Sequence, residues 1–219
     1  MSNGIILKRN YSEENTRKAY SRVSNIYNLW SKMFESSTAE RVIELAQIKN
    51  GDSILEAAVG TGVQFEKIAL VNTNGFTEGI DLSPDMLSLA KKRMENYPQD
   101  NYRLQIGSVY DLPFEDGKFD LIINSYMFDL LPEEDYPKIL CEFSRVLKKG
   151  GRIVISTMTF GKRWYNKPWV KISKWFPSLM TECRPIHLGE YIMNAGFEIE
   201  TTEQVSQNSF PSEVIKAIK

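Results

Sequence analysis

Residues 54–65 read ILEAAVGTGVQF, an apolar run that ends in two glycines, Gly60 and Gly62, on either side of Thr61. The apolar residues predict a buried strand, and the residues after Gly62 have the pattern of a helix. In an open α/β sheet a ligand binds beyond the carboxyl ends of the strands, where glycine lets the backbone approach it. The stretch therefore predicts a binding cleft at the first strand-to-helix turn.

The residues around these glycines narrow the class of ligand. A dinucleotide-binding turn would have a third glycine at position 65, where Phe65 stands, and no Gly-Lys-Ser/Thr of a phosphate-binding loop follows. We therefore expect a nucleoside-like ligand without a pyrophosphate. Asp81 ends the next predicted strand, 25 residues after Glu56, and its carboxylate is placed to accept hydrogen bonds from both ribose hydroxyls.

The rest of the chain alternates between strand-like runs and helix-period stretches, which predicts an α/β fold with helices on both faces of the sheet. Seven strands are expected, at SILEAA, FTEGID, YRLQIGS, FDLIINSYM, RIVISTM, FEIETTEQ and SEVIKAIK. Because the last two have a short connection, they can pair only antiparallel. The sequence therefore predicts a Rossmann-like, mostly parallel seven-stranded sheet with one antiparallel strand near its edge.

Two helix boundaries are predicted from local chemistry. Ser83-Pro84 should open the helix after the second strand, with serine as the N-cap and proline at the first helical position. The helix that begins near Glu133 should end at Gly150, with Lys148 in its last turn.

The chain of 219 residues fits one domain, which we place at 1–219 with an N-terminal helical cap at 1–48 and a substrate-side insertion at 160–186. Lys plus Arg number 27 against 28 Asp plus Glu, which disfavours nucleic acid as a partner. No membrane-spanning run or secretory segment is seen, so a soluble, cytoplasmic protein is expected. Cys141, Cys183 and His187 lack metal-ligand spacing, and no metal is expected.

Four motifs in order resemble those of class I S-adenosylmethionine-dependent methyltransferases, from about Tyr20 to the C-terminus. They are ILEAAVGTG, GIDLSPDML, GSVYDLPFEDGKFDLI and VLKKGGRIVIS. The LPF and FD phrasing and the N-terminal AYSRVSNIYNLW are most similar to the ubiquinone/menaquinone-biosynthesis C-methyltransferase group. Two positions depart from the family pattern: Ala58 replaces the first glycine of the usual GCGTG, and Ser108 replaces an aspartate that bonds the adenine amino group.

The resemblance implies S-adenosyl-L-methionine as the cofactor and assigns roles around it. Gly60 and Gly62 would face the cofactor backbone, Glu56 its methionine amino group, and Asp81 its ribose. The full set of cofactor-binding residues that we expect is Tyr20, Tyr27, Glu56, Ala58, Gly60, Gly62, Asp81, Leu82, Met86, Ser108, Val109 and Asn124.

A base is needed only if the methyl acceptor must lose a proton. Tyr126 and Asp129, near the end of the fourth predicted strand, and His187 are our catalytic candidates. The wider set also contains Asn124, Tyr165 and Arg184. A lone histidine at the start of a helix, as His187 is, is more often an exposed first-turn residue than a base. These assignments are hypotheses.

Residues 162–177, KRWYNKPWVKISKWFP, interleave three tryptophans with lysines. This segment fits a lid over an apolar substrate, a peripheral contact with a membrane, or a helical insertion whose tryptophans pack back on the sheet.

We expect a methyltransferase that acts on a small lipophilic acceptor, quinone-like or lipid-like. A polar metabolite as acceptor and a non-catalytic S-adenosylmethionine-binding protein stay open. An NAD-dependent oxidoreductase is disfavoured by Phe65 and by the antiparallel strand. The sequence gives no indication of the oligomeric state.

Overall fold

The seven predicted strands form one sheet in the order β3-β2-β1-β4-β5-β7-β6. The structure, a computed structural model, describes residues 36–98, 100–161, 164–166, 168–169, 172 and 183–219. The strands are β1 Ser53–Ala57, β2 Phe76–Asp81, β3 Tyr102–Ile106, β4 Phe119–Ser125, β5 Leu147–Met158, β6 Glu198–Gln207 and β7 Phe210–Ile218. Only β7 runs antiparallel to its two neighbours, β5 and β6. The predicted fold is confirmed.

Helices pack on both faces of this sheet. In the described part of the chain they are α1 Ser36–Ala46, α2 Val63–Val71, α3 Pro84–Met94, α4 Tyr136–Val146 and α5 Gly189–Asn194. The Ser83 side chain accepts the backbone N–H of Met86, with Pro84 at the first helical position, so the predicted cap of α3 is confirmed. Residues 1–35 of the predicted N-terminal cap lie outside the described residues, and the domain limits stay predictions.

The predicted end of α4 at Gly150 was wrong, because the helix ends at Val146 and β5 begins at Leu147. Leu147 is fully buried and pairs with Phe119 of β4. This long-range pairing draws Lys148 into the strand, against a local sequence that favours a helix end.

Phe65, which stands where a dinucleotide-binding turn would have its third glycine, is part of the core. It lies fully buried in α2, with its ring edge-on to Tyr102 of β3 at 5.9 Å between centroids. Gly79 of β2 makes room for it, since a Cβ there would lie 2.6 Å from the Phe65 ring. The bulky residue and the glycine therefore fit as a pair, and they fix the distance between α2 and the sheet.

Candidate functional site

The loop after β1 has the left-handed turn that its glycines allow. Gly60 has φ +54° and Gly62 has φ +79°. The Gly60 N–H donates to Oδ2 of Asp81 at 2.8 Å, and the Ser83 N–H donates to Oδ1 at 2.8 Å. Asp81 thus ties the end of β2 to the turn after β1, so the two motifs form one site at the carboxyl ends of the strands.

Gly62 has a structural role that the resemblance does not supply. A Cβ at Gly62 would lie 2.9 Å from both Cα and Cβ of Ala90 in α3, whereas a Cβ at Gly60 would meet open space. The second glycine therefore lets two helices approach, and the first leaves the turn open toward the cleft. Contact of either glycine with a cofactor stays a prediction.

A cleft opens beside this turn, between the β1–α2 loop and the end of β4, with an empty volume of about 470 Å³ that includes its mouth. Its lining is Ala39, Glu56, Ala58, Val59, Gly60, Thr61, Val63, Gln64, Ser125 and Tyr126. Four of these residues, Glu56, Ala58, Gly60 and Tyr126, were predicted from the sequence.

Glu56 is the most unusual group in this lining. It is 2% exposed, and its Oε2 is buried with no hydrogen-bond partner. Burial, and then the negative charge of Asp81, hold the pKa of Glu56 well above its usual range. A buried carboxylate without a partner is costly, and a cation beside it would remove that cost.

Asp81 carries a milder perturbation. Burial raises its pKa, while the backbone N–H groups of Ser83, Gly60 and Leu82 act to lower it. Each carboxylate oxygen has a further lone pair beyond the backbone bond that it accepts, so Asp81 can still take ribose hydroxyls. That role stays a prediction.

Two residues of the lining have backbones in the left-handed region without being glycine. Ala58 has φ +64°, at the position where the family pattern has glycine, and Tyr126 has φ +53°. Such conformations cost about 1–3 kcal/mol each and cluster at functional sites. The Tyr126 hydroxyl shares a 2.7 Å hydrogen bond with Ser212 of β7, so this side chain links the cleft to the antiparallel strand.

The other predicted cofactor residues surround the ends of β2, β3 and β4. Met86 and Asn124 are buried, and Leu82, Ser108 and Val109 are partly buried. Asn124 donates to the Ala57 carbonyl at 2.7 Å, while its Oδ1 is buried without a partner. None of these five is in the lining of the cleft. Tyr20 and Tyr27 lie outside the described residues.

The three catalytic candidates do not share one surface. Tyr126 lines the cleft, Asp129 is fully buried, and His187 is exposed and stacks on Phe160 with ring centroids 4.7 Å apart. Burial raises the pKa of Asp129 to about 7, against the lowering effect of the Met158 N–H that its Oδ2 accepts at 3.2 Å. The contacts of His187 fit the exposed residue that the sequence also allowed.

The two further catalytic candidates from the insertion, Tyr165 and Arg184, also differ in their exposure. Tyr165 is half-buried. Arg184 is buried and donates to the Leu131 carbonyl and, at 3.3 Å, to the Tyr136 hydroxyl.

Most of the tryptophan-rich segment 162–177 lies outside the described residues, but Trp169 is informative. Its Nε1 donates to the Ser209 hydroxyl at 2.9 Å, and its ring packs edge-on to Phe210 at 5.5 Å. Trp169 and Ile172 pack against a buried cluster that includes Tyr126. For Trp169 the contacts favour packing on the sheet; the membrane contact stays a prediction.

Sequence reasoning missed three polar residues of the lining, Thr61, Gln64 and Ser125. The Ser125 hydroxyl donates to Oε1 of Gln64 at 3.0 Å, and the Gln64 Nε2 is buried with no partner. The available signal was a glutamine in the otherwise apolar start of a helix directly after GTG.

Among the residues that the structure describes, no cluster of three His, Cys, Asp or Glu side chains is arranged to hold a metal. The described helices include none long and apolar enough to cross a membrane.

The sequence of this chain is similar to those of known methyltransferases. Residues 54–151 match the family model described as "Methyltransferase domain". Demethylmenaquinone methyltransferase of Tropheryma whipplei (strain Twist) is 30% identical over 151 residues, which make up 67% of this chain and 60% of that protein. The match thus spans about three fifths of that relative's length.

Solved structures with the same fold are more distant in sequence. A SAM-dependent methyltransferase from Aquifex aeolicus is 17% identical, with a TM-score of 0.65 over 95% of this chain and 99% of that one. The [4+2]-cyclase SpnF is 18% identical, with a TM-score of 0.76 over 98% of each chain. These likenesses concern the fold alone, since one fold hosts different reactions.

The family match, the sheet order and the Gly60–Asp81 turn agree with one another, and the resemblance predicted from the sequence is confirmed. Residues 54–151 of this chain belong to the methyltransferase-domain family, and they supply β1 to β4 and the start of β5 of a seven-stranded sheet of the class I type.

Proposed function

We propose that this chain is an S-adenosylmethionine-dependent methyltransferase that acts on a small lipophilic acceptor, quinone-like or lipid-like. The observation that carries the proposal is Glu56, a buried carboxylate without a partner in the cleft of a methyltransferase domain. Its oxygen is matched by the ammonium group of the cofactor's methionine end, and Asp81 lies close enough to raise its pKa. The residues present therefore fit this cofactor.

Three parts of the cofactor have residues to hold them. Glu56 takes the ammonium group, and Asp81, already fixed by the Gly60 N–H, takes the ribose hydroxyls. The adenine would contact the partly buried side chains and backbone of Leu82, Ser108 and Val109. Ser108 keeps a hydroxyl where the family has a carboxylate, and that hydroxyl accepts the Tyr110 N–H at 3.3 Å.

The cofactor, when bound, supplies a methyl group on a sulfonium, which is already activated for transfer. The chain then has to align the acceptor and exclude water, and alignment alone can lower the barrier by about 7–11 kcal/mol. Tyr126 is the candidate to contact the acceptor, because it lines the cleft in a strained backbone conformation. Asp129, with a pKa of about 7, can hold a proton or release it near neutral pH.

The lipophilic acceptor is supported by the surroundings of Tyr126 and by the relatives. Tyr126 belongs to one buried cluster with Leu130, Met158 and Phe210, so the core behind this wall of the cleft is apolar. The Tropheryma whipplei relative is named for a demethylated menaquinone, a lipophilic quinone. A quinone-like acceptor would present an unsubstituted ring carbon to the methyl group.

The test incubates the protein with labelled S-adenosylmethionine, a demethylated quinone and a crude cell extract that supplies other acceptors, and then partitions the label that has left the cofactor between organic, aqueous and protein fractions. We expect the label in the organic phase. Label only in the aqueous phase would overturn the lipophilic acceptor in favour of a polar metabolite. No label, with the cofactor still bound, would overturn the enzyme in favour of a non-catalytic binder.

A variant pair makes the role of Glu56 specific. Glu56→Gln should weaken binding of S-adenosylhomocysteine by about 10–100-fold, since it removes a charge-assisted hydrogen bond. Glu203→Gln is the control, because Glu203 of β6 pairs with Arg41 and is absent from the lining of the cleft. It should bind as the wild type does, and equal losses in both variants would contradict the assignment.

The raised pKa of Glu56 predicts how the affinity for S-adenosylhomocysteine depends on pH. Because its pKa is raised in the ligand-free protein, the acid must lose a proton before it can pair with an ammonium group. Affinity for S-adenosylhomocysteine should therefore rise with pH until that pKa is passed, and Glu56→Gln should remove this rise. Calorimetry in a pH series measures both, and a rise that survives in the variant would assign it to another group.

A further inference from the structure

Gln64 and Ser125 form a second polar pair in the cleft, and none of the roles proposed above uses them. Gln64 is the second residue of α2 and is 7% exposed, and Ser125 is the last residue of β4. Both line the cleft together with Glu56. The pair therefore joins the two elements that face each other across the site.

The hydrogen bond between them fixes the orientation of the amide. The Ser125 hydroxyl donates to Oε1 of Gln64 at 3.0 Å, so the amide nitrogen is the atom left over. That nitrogen is buried and has no partner. A buried N–H donor without an acceptor is unfavourable, so the nitrogen is suited to a ligand that brings an acceptor.

The start of α2 offers hydrogen-bond donors, as the Gln64 amide does. Its N-cap is Gly62, which has no side chain to accept the N–H groups of the first turn. The helix has nine residues, and the positive end of its dipole lies where Gln64 stands. Backbone N–H groups and a side-chain amide at one helix start make a site for an anion.

Glu56, in contrast, offers only acceptors. The cleft thus has a carboxyl oxygen without a partner, Oε2 of Glu56 on β1, and an amide donor without a partner, Nε2 of Gln64 on α2, and both atoms are buried. A ligand that satisfies both must carry a hydrogen-bond donor and an acceptor at one end, and a cationic and an anionic group make the strongest such pair. An α-amino acid has this pattern, with an ammonium and a carboxylate on one carbon.

We propose that Gln64 binds the carboxylate of the ligand's amino-acid end and that Ser125 is the positioning residue that orients its amide. Gln64 and Glu56 together then make the cleft selective for zwitterionic ligands. The inference rests on the proposed function, because it takes the ligand to be S-adenosylmethionine or its product. It adds a residue that determines which nucleoside-linked amines the cleft accepts.

The test compares two ligands by calorimetry: S-adenosylhomocysteine and its descarboxy analogue, in which hydrogen replaces the carboxylate. The wild type should bind the analogue about 10–100-fold more weakly. Gln64→Met keeps the length of the side chain and removes both N–H donors, so it should weaken S-adenosylhomocysteine by a similar factor and leave the analogue unchanged. Gln204→Met, on the exposed face of β6, is the matched control.

Ser125 is tested by removal and rescue. Ser125→Ala should weaken S-adenosylhomocysteine severalfold without affecting the analogue, and Ser125→Thr, which keeps the hydroxyl, should restore the affinity. Restoration by threonine separates the orienting hydroxyl from a packing effect of the smaller side chain. Ser125→Ala and Ser125→Thr with equal affinities would overturn the positioning role.

The outcomes separate this inference from the proposed function. Equal affinity of the wild type for the two ligands would overturn the inference while the function stands, and this comparison needs no variant. Equal losses for both ligands in Gln64→Met would overturn it as well. If the wild type does not bind S-adenosylhomocysteine, the proposed function fails, and the role of Gln64 fails with it.

Discussion

Asp129→Asn should stabilise the protein, and by an amount that grows with pH. The side chain is fully buried, and burial raises its pKa from 3.8 to about 7. A rise of about three units corresponds to about 4 kcal/mol, the cost of ionising this group in the folded protein. Asparagine keeps an oxygen for the Met158 N–H, which Asp129 now accepts, and carries no charge.

The sign follows from proton binding. Because the folded state holds the Asp129 proton more tightly than the unfolded state, the stability from this group is complete below about pH 4 and is lost as pH rises to about 7. Between about pH 5 and pH 8.5 the wild type should lose about 2.5 kcal/mol relative to Asp129→Asn. Urea denaturation at both pH values measures the free energy of unfolding.

Asp120→Asn supplies the control for this experiment. Burial acts to raise the pKa of Asp120, but hydrogen bonds from Lys148 and the Ser53 N–H outweigh it and lower the pKa. The group is therefore ionised at both pH values, and its substitution should change stability by the same amount at each. If the difference between Asp129→Asn and the wild type is also the same at both, the buried-carboxylate explanation is wrong.

Two further changes test the backbone around the cleft. Ala58→Gly should raise the free energy of unfolding by about 1 kcal/mol, because it relieves a left-handed conformation at φ +64°; a loss of stability in urea would refute this. Gly62→Ala should cost about 2–4 kcal/mol, since the new Cβ would lie 2.9 Å from Ala90, whereas Gly60→Ala adds only backbone strain and should cost about 1–2 kcal/mol. Thermal or urea unfolding compares the two variants, and equal costs would contradict the packing role of Gly62.

The sheet could be predicted from sequence because its strands carry their own signal. Continuous apolar runs such as FDLIINSYM indicate strands buried on both faces, and β4 is such a strand. The cap at Ser83 and the pairing of the glycine turn with Asp81 follow from local chemistry in the same way. These features depend on residues near one another in the chain or on a recurring topology.

Features that depend on distant contacts could not be predicted in this way. The end of α4 is decided by Leu147 pairing with Phe119 of another strand. The Gln64–Ser125 bond joins residues 61 positions apart, and neither residue has a pattern of its own. The imidazole of His187 suits a catalytic base, but its exposure and its stacking on Phe160 depend on the folded structure and could not be predicted from the sequence.

The position of β7 also has a consequence for the order in which the protein folds. β6 runs parallel to β5 but is separated from it by β7, which hydrogen-bonds to both. β6 and β7 are joined by a tight turn at Asn208 and Ser209, both with positive φ, so this hairpin can form by itself and dock on β5 as one unit. Tyr126 bonds to Ser212 and Trp169 to Ser209, so docking of the hairpin would complete one wall of the cleft. Amide exchange in β7 should therefore report on the readiness of the site as well as on the sheet.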